Sequence, residues 1–161
     1  MIHLQLNTQD RTQLRYTLHR LEYLKDVISN ARTAMGATAG RLGDSYLKVS
    51  VLSFVAETAP QEEEVEQQIA SLSHFFPLQD LHPANSYQGI KESFDCVFEC
   101  AAFYENETRR VFRRFINDNM IIPEVRKTVQ YILNEMLYAF LKIRMLNCFT
   151  VKEMSGEAML F

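Results

Sequence analysis

The chain has 161 residues, of which 47% are hydrophobic and 23% charged, and its formal net charge is −3. That length fits one domain spanning residues 1–161, able to bury roughly two-thirds of its unfolded surface without a metal or a disulfide. Five glycines and four prolines are too few for a sandwich or barrel, which needs turn residues about every ten positions, so the expected fold class is all-α.

Residues 1–16 contain no unbroken apolar run and carry Asp10, Arg11 and Arg15, which argues against a signal peptide. The richest apolar stretch, residues 129–149, is interrupted by Asn134, Glu135, Lys142 and Arg144, so no membrane span is expected. Three cysteines, an odd number, do not read as a secreted disulfide framework. The expected compartment is the cytoplasm.

The first predicted helix starts at Asn7 or Thr8 and ends at Met35. Leu14, Leu18, Leu21, Leu24, Ile28, Ala31 and Met35 recur at steps of three and four and line one face. Gly36 then suits a C′ position that ends a helix. Residues 44–57 fit a strand by alternation and a helix by spacing. With no second strand to pair with, the helix is the reading that satisfies the backbone. A third helix is predicted to begin at Pro60, where Glu62, Glu63 and Glu64 complement the positive helix end. It should stop near Phe76, before Pro77. Residues 77–88 read as the longest irregular connection.

From residue 90 to 119 the helical signal is strongest, with Ile90, Phe94, Val97, Ala101, Tyr104, Thr108, Val111 and Phe115 alternating steps of four and three. A break at 117–119 and Pro123 leads to the last helix, residues 124–148. Its apolar positions Val129, Ile132, Met136, Ala139, Ile143 and Leu146 are widened by Leu133, Leu137, Phe140 and Leu141, the pattern of a helix buried on several sides. The expectation is a bundle of about five helices around a long, buried C-terminal hairpin.

Chemistry-bearing residues are sparse. Cys96 and Cys100 are four apart and share a face if both are helical, with Cys148 able to approach. They lack the spacing of a zinc site and read as core thiols. Glu92, Asp95 and Glu99 read as a solvated acidic face, and no Glu-x-x-His pair exists to build a carboxylate di-metal site. Arg15 and His19 read as a polar stripe, and His3, His74 and His82 have no partners in sequence. No cofactor or metal is expected.

The densest charge is Arg109, Arg110, Arg113 and Arg114, with Glu105, Glu107 and Asp118 placed to pair with it locally. Residues 60–108 hold ten acids and one base, whereas residues 109–161 hold nine bases and five acids. Such asymmetry favours contact with oppositely charged surfaces on a partner or on another copy, and an acidic half disfavours nucleic acid. The expected function is a non-enzymatic protein–protein interaction module: an adaptor, a chaperone-like binder or a regulator. Its expected surface comprises Arg109, Arg110, Arg113, Arg114, Glu62, Glu63 and Glu64. Two alternatives stand beside it. One is a small-molecule or lipid-binding bundle, with or without catalysis, whose pocket would use Tyr104, Tyr131 or Tyr138. The other is a nucleic-acid-associated factor using the four arginines. The C-terminal Met159, Leu160 and Phe161 are expected to fold back over the core rather than dock elsewhere.

Overall fold

A computed structural model describes residues 8–43, 45–76 and 94–159. Within them the chain forms four helices: α1 (Thr8–Gly40), α2 (Tyr46–Ser73), α3 (Val97–Ile116) and α4 (Pro123–Met159). The expected His3, His82 and Glu92, the irregular connection over 77–88, helical residues 90–93 and the terminal Leu160 and Phe161 all lie outside the described residues.

The helices pack as a ring of four. α1 lies against α2 and α3, α4 lies against the same two, and the diagonal pairs scarcely touch. Side-chain pairs give the directions. Lys25 reaches Glu66 at 3.5 Å and Arg32 reaches Glu62, so α1 and α2 are antiparallel. Tyr16, early in α1, bonds Asp118 just past α3, and Arg144 of α4 lies 3.6 Å from Glu105 of α3. Every neighbouring pair is therefore antiparallel, and the diagonal helices α2 and α3 run the same way. The molecule consists of two hairpins, α1–α2 and α3–α4, packed side by side.

The core is the shared inner seam. Leu21, Leu24, Ile28 and Met35 of α1, Val51, Phe54 and Val65 of α2, Val111 and Phe115 of α3, and Ile132, Leu133, Met136 and Phe140 of α4 are all buried. Phe54 and Phe140 join α2 to α4, with ring centroids 4.8 Å apart. Burying a Phe or Leu side chain contributes about 1.5–3 kcal/mol, so this periodic apolar face supplies most of what holds the ring together.

Five expectations are corrected. The two helices expected at 44–57 and 60–76 are one, α2, which continues through Pro60. A proline inside a helix lacks the N–H that would bond the carbonyl four residues back and crowds that turn. Arg32 of α1 braces the turn just before Pro60, donating to the Val55 carbonyl from Nη2 at 2.9 Å and Nε at 3.2 Å, and to Thr58 Oγ1 at 3.2 Å. The Thr58 hydroxyl itself donates to the Phe54 carbonyl at 2.8 Å. Secondly, Gly36 does not end α1, which runs on to Gly40. No described glycine has a positive φ, so the left-handed stop is not used, and Gly36 instead faces Val55 of α2.

Thirdly, α3 begins at Val97. Cys96 is its N-cap, with an extended backbone at φ −145° and ψ 163°. Fourthly, the C-terminal hairpin is not a centre with other helices around it. α4 touches α2 and α3 alone among pairs with substantial packing and keeps an exposed apolar edge. Fifthly, the backbone of α4 stays helical to Met159, past Cys148, where the last helix was expected to end.

Candidate functional site

The connection between α3 and α4 shows how the sequence anchors its local turns. Asp118 accepts from the Met120 N–H at 3.0 Å, the Ile121 N–H bonds the Asp118 carbonyl at 3.3 Å, and Pro123 opens α4. Thr17 of α1 accepts from the Ile122 N–H at 3.2 Å, and the Tyr16 hydroxyl donates to Asp118. That bond, reinforced by burial, pushes the Tyr16 hydroxyl above its usual pKa. Asp118 is thus committed to α1 and does not pair with Arg114.

The arginine cluster is partly neutralised within its own helix. Arg109 lies 3.4 Å from Glu105, which also meets Arg144 of α4, and Arg110 pairs with buried Glu107. Arg113 and Arg114 are exposed and make no ion pair among the described residues. On α2, Glu62 is held by Arg32, Glu64 accepts from the side-chain amide of Gln68 at 3.4 Å, and Glu63 is exposed. The acidic run and the arginines sit on diagonal helices that scarcely touch. The seven residues singled out from sequence therefore do not converge on one surface.

The thiols separate as well. Cys100 is buried while Cys96 and Cys148 are exposed, because the extended backbone at Cys96 breaks the helical spacing that would have put it beside Cys100. Burial pushes the Cys100 thiol up to about 12, which keeps it protonated and inert. Asp95 also precedes α3, so it shares no helix face with Glu99. Among the described residues no group of three His, Cys, Asp or Glu side chains is placed to hold a metal. Arg15 stacks over the Phe76 ring, 5.6 Å from its centroid. Tyr104 is packed in the core against Phe94 and Phe103, whereas Tyr131 and Tyr138 are exposed. The three tyrosines do not share a pocket.

What the sequence reading missed is the outer seam between α2 and α4. Tyr131, Tyr138 and Met145 stand at steps of seven on α4 and are 65%, 59% and 50% exposed. Together with Glu135 and Lys142 they occupy about 80° of helix arc. Across the seam, Tyr46 and Val49 of α2 are exposed too. Two open grooves run along it. One, of about 390 Å³, is lined by Tyr46, Val49, Phe54, Met145 and Leu146 among others. The second, of about 480 Å³, lies between Pro60, Gln61 and Glu64 of α2 and Lys127, Tyr131 and Ile132 of α4. Between the two, Lys142 pairs with Glu57 and sits 5.1 Å from the Tyr138 ring centroid. Most of the large apolar side chains left in solvent among the described residues gather here; of the others, Phe75 and Met120 lie beside helix ends and Leu52 stands apart on α2.

No helix among the described residues is long and apolar enough to cross a membrane. No protein-family model, curated protein or solved structure matches this chain.

Proposed function

We propose that this chain is a non-enzymatic helical interaction module, an adaptor, chaperone-like binder or regulator, and that it works through the α2/α4 face. The observation that carries the reading is the set of exposed Tyr46, Val49, Tyr131, Tyr138 and Met145 side chains along one grooved seam. Contiguous apolar surface of this kind is characteristic of interaction sites, and tyrosine is favoured there because it buries a large ring and keeps a polar tip. The arginine cluster supports a contact less well, since Arg109 and Arg110 are already paired with Glu105 and Glu107.

The test is affinity capture from extracts of the organism of origin, using the full chain, Tyr131→Glu, and an Arg113→Gln/Arg114→Gln double variant. A partner lost with Tyr131→Glu and kept with the double variant supports the α2/α4 face. The opposite pattern moves the working surface to α3.

One observation favours a second reading, a small-molecule or lipid-binding bundle. The 390 Å³ groove falls within the size range of ligand sites. A ligand retained in native mass spectrometry and lost on narrowing the groove with Ser53→Phe would favour it.

A further inference from the structure

We infer that the occupant of the α2/α4 face is a second copy of this chain, seated antiparallel across α4 with its two-fold axis at Tyr138. The inference rests on reading that face as the interaction surface and names its partner.

The stripe on α4 is complementary to its own reverse. A two-fold axis at Tyr138 sets Tyr138 against itself and Tyr131 level with Met145 of the other copy. Glu135 then falls within one residue of the level of the opposing Lys142, an axial offset of about 1.5 Å. Apolar positions meet apolar positions, and on each side of the axis Glu135 comes level with a Lys142 that already pairs with Glu57 of its own chain. Steps of seven also suit such a crossing, because a seven-residue repeat stays on the seam when two helices cross at about 20°.

The grooves follow the same symmetry. The first lies beside residues 139–146 of α4 and the second beside residues 127–132, on opposite sides of the Tyr138 level. The axis sets the first groove of one copy opposite the second groove of the other. The Tyr131 ring of one copy falls at the first groove of the other, against Val49, Tyr46 and Met145, and Met145 falls at the second groove. Each projecting side chain meets a recess, which is the requirement of an isologous contact.

The area is sufficient. Twenty residues of α4 span about 30 Å, and two helices about 10 Å apart present a face about 20 Å wide. That gives on the order of 600 Å² per copy, or about 1,200 Å² in total, which is the lower end of stable specific interfaces.

Sedimentation equilibrium of the full chain and of Tyr138→Glu tests the proposal. The expected result is a concentration-dependent dimer whose dissociation constant rises at least about tenfold in Tyr138→Glu, with helical circular dichroism unchanged because Tyr138 is exposed. A chain that stays monomeric at high micromolar concentration, or a dimer insensitive to Tyr138→Glu, overturns it.

Disulfide trapping reads the geometry on a background in which Cys96 and Cys148 are replaced by Ser. Tyr138→Cys should link to itself. Tyr131→Cys should link to Met145→Cys on a differently tagged copy and not to itself, whereas self-linking of Tyr131→Cys would mean a parallel arrangement and overturn the axis. A monomer that still captures a partner through Tyr131 removes the second copy and leaves the proposed interaction face standing. A monomer that captures nothing through it removes both.

Discussion

Gly36 sits inside α1, where a glycine loses more chain entropy than an alanine. A methyl group added there would meet Val55 Cγ2 at 4.0 Å, an ordinary contact. Gly36→Ala should therefore stabilise the fold by about 0.5–1 kcal/mol and raise Tm by a few degrees, checked by thermal and urea unfolding. Cys100 makes the opposite kind of residue-scale statement. Burial pushes its thiol up to about 12 from an ordinary 9.0, so the folded state holds a proton that the unfolded state releases. The associated stability is fully present below pH 9 and is lost as pH rises from there to about 12. Urea midpoints measured between pH 8 and 11 should fall less steeply in Cys100→Ala than in the parent. At pH 8, an alkylating reagent should label Cys96 and Cys148 in the native protein and Cys100 only after unfolding.

At the scale of elements, α2 depends on a side chain from its neighbour. Arg32 bonds the Val55 carbonyl, Thr58 and Glu62 around the turn that Pro60 disrupts. Arg32→Met should lower stability by about 2 kcal/mol, because it leaves buried acceptors and a half-buried carboxylate without their donor. Adding Glu62→Gln to it should recover part of that loss in urea unfolding. The junction also shows where the sequence stops being legible. Pro60, one residue before three glutamates, satisfies every local rule for a helix start, and nothing within ten residues reveals that an arginine 28 positions earlier will brace the turn leading into it. Gly36 misleads for the same reason, since its packing against Val55 is tertiary. The long periodic faces of α1, α3 and α4 were readable because burial repeats along them; the start of α3 was not, because the apolar step continues through Phe94 while the backbone at Cys96 is extended.

For the whole molecule, the charge asymmetry visible in the sequence lies across a diagonal, with the acidic run on α2 and the arginines on α3. Self-association through those opposite charges would weaken steeply with salt. Association through the α2/α4 face uses mainly apolar contact and one solvent-exposed charge pair on each side of the axis. Raising NaCl from about 0.05 to 0.5 M should change the dimer constant by less than about threefold, measured by sedimentation. This face was hidden in the sequence by the breadth of the apolar pattern in α4. Tyr131 and Tyr138 read from sequence as polar contacts of a pocket, although their seven-residue spacing with Met145 was there to be read. The face also spans the joint between the α1–α2 and α3–α4 hairpins. Whatever binds it touches both hairpins at once and is tied by mass action to the free energy of their separation. Occupancy is then a clasp as well as a contact: it slows hydrogen exchange along both helices of the seam, and any mutation that loosens the joint weakens the partner's grip by the same thermodynamic linkage.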